Sequence, residues 1–414
     1  MLTFVSKLYS LYFTDFDFDD DLLDGIESMG YDKATPVQEQ VIPHILEGRD
    51  VIAAAQTGTG KTAAFLLPII QRLLSEPHYE NEINALIIVP TRELAIQISQ
   101  TLEGLSYYTS ISSIAVYGGN DGALFASEKK ALTMGADIVI CTPGRLISHL
   151  KMGYIKFAGL RYLVLDEADR MLDMGFYDDI MKIISALPKE RQNLFFSATM
   201  PPQMRKLANN ILVNPVEINI AISRPPEQIT QGAFLVFEQQ KPQLVQHILR
   251  SKEFGSVVVF CSSKQSVKQL TSELKKQGFS VEQIHSDLQQ QEREQVLLNF
   301  KSRKTKILTA TDIISRGIDI EDIDLVINYD VPHDGEDYVH RIGRTARAAS
   351  KGTAYTLIAE KEQRRFAQIE KLLGKEVEKL KVPEALGPVP EPAVFQSKPQ
   401  GKKRKKGYRP KNRS

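Results

Sequence analysis

Ala55-Gln-Thr-Gly-Thr-Gly-Lys-Thr62 stands between the apolar run Asp50–Ala54 and a helix-like stretch that begins at Lys61. Strand, glycine-bearing loop and helix in that order make a phosphate cradle. Glycines let the chain turn so that the N–H groups of Thr57, Gly58, Thr59 and Gly60 converge on one anion, and the helix N-terminus adds a favourable dipole. In that frame Lys61 bridges the β- and γ-phosphates of a nucleoside triphosphate, and Thr62 places its hydroxyl on Mg2+. Ala55 occupies the position where the strict pattern GxxxxGK[ST] has its first glycine.

Working outward, short runs rich in Val and Ile alternate with longer amphipathic stretches. Asp50–Ala54, Ala85–Val89, Ile114–Val116, Ile138–Ile140, Tyr162–Leu165 and Asn193–Ser197 read as strands, with helices such as Lys61–Leu74, Arg92–Leu105 and Tyr177–Ala186 between them. Continuously apolar strands separated by helices predict a parallel sheet covered on both faces. The same alternation restarts with Ser256–Phe260, Val281–Ile284, Ile307–Ala310, Leu325–Asn328 and Thr353–Leu357. The fold class is therefore α/β, with two tandem units and a cleft between them. The expected divisions are an extension over 1–12, a first domain over 13–222, a linker over 223–228 containing Arg-Pro-Pro-Glu, and a second domain over 229–385. Beyond residue 385 the alternation stops, three prolines fall within Gly387–Pro392, and 386–414 is expected to be a disordered basic tail.

The bulk numbers agree with two globular units. A chain of 414 residues exceeds one ordinary domain, and 42% hydrophobic with 25% charged residues is a water-soluble composition. No apolar run approaches the length that crosses a bilayer, so no membrane partner is expected. Met1 to Phe13 lacks a small-residue cleavage site and reads as a short extension rather than a signal peptide. Cys141 and Cys261 show neither CxxC spacing nor a disulfide framework, which fits a reducing cytoplasm. The net charge of +1 conceals nine Lys or Arg residues, without an acid, between Lys398 and Ser414. The run Lys402-Lys-Arg-Lys-Lys406 fits nonspecific RNA tethering by counterion release, and equally a solubilising end.

Asp166-Glu167-Ala168-Asp169 follows the strand Tyr162–Leu165 directly. Carboxylates at the carboxyl end of a parallel strand face the ligand crevice. Asp166 can hold Mg2+ through its water shell, and Glu167 can orient and deprotonate an attacking water. Acidic residues also favour helix N-termini for purely structural reasons, but the loop ending at Thr62 gives the hydrolytic reading the greater weight.

Taken together, the loop and the Asp-Glu-Ala-Asp quartet resemble the DEAD-box ATP-dependent RNA helicases, over roughly residues 13 to 385. The compact core without large appendages looks like the bacterial RhlE-type branch. That resemblance implies two RecA-like domains, ATP and Mg2+ as cofactors, and RNA as a partner read through its backbone. Gly30-Tyr31 and Thr35-Pro-Val-Gln38 resemble the family's glutamine motif: Gln38 would read the adenine edge and Phe13 would stack on the ring. Pro90-Thr91-Arg92, Gly118-Gly119 and Thr142-Pro143-Gly144-Arg145 resemble first-domain RNA contacts. Ser197-Ala-Thr199 resembles the motif coupling nucleotide state to closure, its hydroxyls reaching Asp169 and His340.

In the second unit Val257–Phe260 with Ser262, and His285 to Arg293, resemble RNA-facing segments. The stretch Thr311 to Asp319 implies Asp319 at the ribose, Gly317 at the γ-phosphate, and Thr311 with Arg316 near RNA. Arg344 and Arg347 resemble arginine fingers that complete the catalytic set with Lys61, Asp166 and Glu167. Ser286 and Ala346 stand where the family usually has Gly. The implied activity is RNA-stimulated ATP hydrolysis with local unwinding of short duplexes, in ribosome assembly or RNA turnover, by a monomer in the cytoplasm. Ribosomal precursors and RNA-degradation proteins are the implied partners. A DNA helicase and an ATP-gated RNA clamp share the same residues.

Overall fold

The computed structural model describes residues 11–55, 59–77, 82–118, 122–200, 202–220, 229–311, 323–333, 335–345 and 352–393. Its first sheet contains β1 (Val51–Ala54), β2 (Ala85–Ile88), β3 (Ser113–Val116), β4 (Ile138–Cys141), β5 (Tyr162–Leu165), β6 (Gln192–Ser197) and β7 (Val216–Asn219). They lie in the order β3-β4-β2-β5-β6-β1-β7, every pair parallel. Alternate side chains feed two cores: Val51, Ala53, Ala85 and Ile87 pack on one face, Ile52, Leu86 and Ile88 on the other. Helices cover both faces, so the strands can be apolar without interruption.

The second sheet contains β8 (Ile229–Leu235), β9 (Val257–Cys261), β10 (Val281–Ile284), β11 (Ile307–Thr311), β12 (Leu325–Asn328), β13 (Gly352–Ile358) and β14 (Glu378–Lys379). Its order, β10-β11-β9-β12-β13-β8-β14, repeats the first strand for strand. The two parallel seven-stranded sheets flanked by helices are tandem RecA-like units.

The topology places the site. β1 is flanked by β6, and β6 by β5, so the chain leaves three adjacent strands at Ala55, Asp166 and Ser197. Ala54 is in register with Ser197, and Ala55 N–H donates to the Ser197 carbonyl at 3.0 Å. Segments far apart in sequence thus meet at the carboxyl edge of one sheet, where open α/β sheets bind ligands.

The tail expectation is corrected at its start. Residues 386–393 lie against the second unit rather than trailing from it. Gln240 Nε2 donates to the carbonyls of Leu386 and Pro388 at 2.6 and 2.8 Å. Gln363 donates to Glu391 O and accepts from Ala393 N–H, and Pro390 is buried. Prolines disfavour helix and strand, but an extended strap satisfied by glutamine side chains needs neither.

Candidate functional site

Gly60 caps the helix Lys61–Ser75 with φ of +92°, a conformation that suits glycine. A Cβ there would lie 2.6 Å from Gln38 Nε2 and 2.9 Å from Thr35 Oγ1. Gln38 is buried; its Oε1 accepts Thr35 N–H at 2.8 Å and its Nε2 donates to Gly60 O at 3.0 Å. One side chain therefore caps its own helix and braces the loop. It keeps one N–H and one lone pair for a further partner. Phe13 is only 3% exposed, packed beside Phe16 and Tyr31, and offers a base no open face in this arrangement.

Lys61 is the telling residue here. Its side chain is buried, and its ammonium has no hydrogen-bond partner among the described residues. An unpaired buried cation is costly, so the corner is built for an anion that completes it. Thr59 and Thr62 are half-buried beside it, while Thr57 and Gly58 lie outside the described residues.

Across from Lys61 the acidic turn is almost wholly buried, with Asp166, Glu167, Asp169 and Arg170 each at 5% exposure or less. Burial, opposed by Lys61, pushes the Asp166 carboxyl up to about 6. Glu167 sits at φ +48° and donates its N–H to Asp166 Oδ1 at 2.9 Å. A left-handed residue other than glycine costs about 1 kcal/mol, a local strain that marks functional turns. Arg170 Nη1 donates to Glu167 Oε2 at 3.1 Å, a pairing between the left-handed N-cap and the first turn of the helix Ala168–Asp173 that the sequence reading missed.

Asp169 Oδ2 accepts the backbone N–H of Thr199 at 3.0 Å, while the Ser197 hydroxyl donates to Thr199 O at 2.7 Å. The expected link from Asp169 therefore runs through Thr199's backbone rather than its hydroxyl. His340 is buried in the second-unit helix Gly335–Ile342. Among the described residues no three His, Cys, Asp or Glu side chains form a metal cage. A Mg2+ here would lean on Asp166, Thr62, water and phosphate oxygens, its usual manner of binding beside phosphates.

The candidate RNA segments occupy neighbouring loops. Thr91 caps the helix Arg92–Leu105, and Pro90 closes β2's exit. Arg92 lies over the Tyr117 ring at 4.6 Å and pairs with Glu294 of the second unit at 3.0 Å. Arg293 answers with a longer contact to Glu93 at 3.9 Å, and donates to Ser286 O at 2.9 Å. Thr142 and Pro143 open the helix Pro143–Leu150; a Cβ on Gly144 or Gly118 would meet nothing within 4 Å, so both backbones are open. Thr311 ends β11 buried, with a hydroxyl that has no partner among the described residues. Gly119, Arg316, Gly317, Asp319 and Arg347 lie outside the described residues; Arg344 is half-buried just after the helix Gly335–Ile342.

The second unit carries its own version of the Lys61 corner. Lys241 opens the helix after β8 as Lys61 does after β1, and Asp330 follows β12 as Asp166 follows β5. Here the ammonium is fully buried and bonded to Asp330 at 3.1 Å, Glu362 at 2.9 Å and Glu238 at 3.2 Å. Asp330 also accepts the N–H and hydroxyl of Ser262. The ammonium is already satisfied by protein carboxylates.

Comparison with known proteins gives a consistent picture. The family model for DEAD/DEAH box helicase matches residues 35–207, and that for helicase conserved C-terminal domain matches 240–349. The ATP-dependent RNA helicase CshA of Listeria monocytogenes is 41% identical over 372 residues, covering 90% of this chain and 70% of that protein. The ATP-dependent RNA helicase DbpA of Bacillus subtilis is 39% identical over 373 residues, covering 90% and 77%. Among solved structures, S. cerevisiae Dbp5 bound to RNA and ADP BeF3 aligns with a TM-score of 0.79 at 30% identity, covering 89% of this chain and 95% of that one. Mss116p bound to ssRNA and AMP-PNP aligns with a TM-score of 0.79 at 29% identity, covering 92% and 81%.

Proposed function

Because the chain belongs to the DEAD-box ATP-dependent RNA helicases, an RNA-dependent ATPase that unwinds RNA, we propose that its chemistry is divided between the two units as follows. Lys61, Thr62 and Gly60 hold the triphosphate at the helix N-terminus, and Gln38 reads the adenine edge with its remaining donor and acceptor. Bound ATP supplies the phosphoanhydride and its Mg2+ the counter-charge. Asp166 would hold that Mg2+ through its water shell, and Glu167 would orient water and take its proton. Arg344 and Arg347 of the second unit complete the set only when the cleft closes, so hydrolysis follows closure.

RNA lying across both units favours the same closed state. By linkage, ATP and RNA then strengthen each other's binding. Gly317 and Asp319 on the nucleotide, and Thr311 with Arg316 on RNA, belong to the same proposal. So do a monomeric state, a cytoplasmic role in ribosome assembly or RNA turnover, and membership of the RhlE-type branch.

One observation carries this reading: a buried lysine without a hydrogen-bond partner among the described residues, at a glycine-capped helix start beside Asp166. ATPase and strand-separation assays with matched RNA and DNA test it. Lys61→Ala and Glu167→Gln should each abolish RNA-stimulated turnover. Equal stimulation by DNA would redirect the assignment to a DNA helicase, and full biological activity in Glu167→Gln would redirect it to an ATP-gated clamp.

A further inference from the structure

The helix Gly122–Met134 turns two residues inward, Leu132 and, against expectation for a core position, Glu128. Glu128 is fully buried. Its Oε1 accepts the backbone N–H of Tyr117 at 3.1 Å, and its Oε2 accepts Arg145 Nε at 2.7 Å and meets His149 Nε2 at 2.9 Å. A buried carboxylate costs several kcal/mol unless paired and hydrogen-bonded, and here three donors do so.

The surrounding groups fix the direction of each bond. The Tyr154 hydroxyl meets His149 Nδ1. A carboxylate oxygen accepts, so His149 Nε2–H donates to Glu128, and in the neutral ring Nδ1 is left to accept the Tyr154 O–H. Phe125, one turn before Glu128, stacks on His149 at 4.2 Å and carries the Arg145 guanidinium at 4.6 Å. Arg145 is clamped through Nε, while its Nη2 is buried and has no partner among the described residues. Tyr117 directly precedes Gly118-Gly119, and its ring carries Arg92.

We propose that Glu128 is the positioning residue for RNA binding by the first unit. It ties the Thr142–Arg145 turn and the Gly118 loop to one carboxylate, and reaches Arg92 through the Tyr117 ring. It touches no RNA itself; it holds Arg145 against Phe125, and so fixes the Thr142–Arg145 segment in the arrangement that meets the RNA backbone. This rests on the reading above that Arg92, Gly118 and Arg145 contact RNA.

RNA-stimulated ATPase of the full-length protein, titrated with a short single-stranded RNA, tests it. Glu128→Met should raise the RNA concentration for half-maximal rate about tenfold, as expected for losing a charge-assisted hydrogen bond. The rate at saturating RNA should stay within about twofold and the KM for ATP should not move. Glu128→Gln keeps one acceptor oxygen toward Arg145 and His149, so its rise should be smaller, about threefold. Since Glu128 acts through Arg145, the Glu128→Gln effect should vanish in an Arg145→Ala background.

A half-saturation that does not move in either variant overturns the proposal. So does a Glu128→Gln effect of equal size with and without Arg145, or a fall in saturated rate that parallels a loss of thermal stability. If Glu128→Met does not fold, the glutamine variant and its coupling to Arg145 decide alone. A wild-type protein without RNA-stimulated ATPase would instead strike the functional reading beneath this one.

Discussion

Arg170 donates to the Glu167 carboxylate at 3.1 Å with both side chains at 7% exposure or less. The candidate general base is therefore held by a partner in the first turn of the helix it caps, instead of swinging free. Replacing Arg170 with Met leaves that carboxylate buried without its cation, which typically costs about 3–5 kcal/mol. ATPase kcat should fall at least tenfold and the first unit should melt earlier, with Arg170→Lys recovering part of both. Unchanged kcat in Arg170→Met would show that Glu167 is oriented by other groups.

Gly60 gives a second expectation. A Cβ there meets Gln38 and Thr35 and requires a positive φ that alanine resists. Gly60→Ala should weaken nucleotide binding about tenfold or more, through both the loop and Gln38. Equilibrium titration with a fluorescent ATP analogue reads this directly, and a Kd within twofold of wild type would count against it.

The reciprocal contacts between units make a third. Arg92 and Arg293, both candidate RNA contacts, are engaged by Glu294 and Glu93 across the cleft. An acid in the place of a phosphate competes with RNA. Partly exposed pairs are worth about 0.2–1 kcal/mol, so Glu294→Gln should tighten RNA binding without nucleotide by up to about fivefold. Anisotropy with labelled RNA at low salt measures it, where such charges count most.

Lys241 sets the pH behaviour of the second unit. Burial alone would depress the Lys241 pKa, but Asp330, Glu362 and Glu238 outweigh it and the net shift is upward. Burial raises Asp330, and Lys241 with the Ser262 donors outweighs that, so its net shift is downward. The lysine's contribution is then present below its ordinary pKa and lost at strongly alkaline pH. The aspartate's is present above its ordinary pKa and lost as pH falls through its depressed folded value. Thermal unfolding should show a plateau across neutral pH, and Lys241→Met should be destabilised there by about 3–5 kcal/mol from stranding the carboxylates, a deficit that shrinks as acid protonates them.

Much of this was legible in the sequence because the strands are buried on both faces. Runs such as Ala85–Val89 and Leu325–Ile327 are apolar throughout, and their positions agree with the sheets to within a residue or two. The outer strand β7, Val-Glu-Ile-Asn, alternates with solvent and lacked that signature, and β14 is only two residues long. Lys61, Asp166 and Glu167 were readable as candidates because each lies just beyond the carboxyl end of a strand, where α/β sheets place ligand-facing groups. Glu128 was not, since its partners stand 11, 17 and 21 residues away and its helix shows no pattern that demands an inward acid. The strap over 386–393 escaped for a related reason: Gln240 holds it across 146 residues of sequence.

The duplicated fold has two corners of the same design, and they have opposite occupancies. At Lys241 the protein supplies its own anions, permanently; at Lys61 it leaves that role to something that comes and goes. The stoichiometry follows: titrating the protein with nucleotide should saturate at one equivalent per chain. The second unit then meets nucleotide only across the cleft, which would make each binding event a signal passed from one half of the molecule to the other.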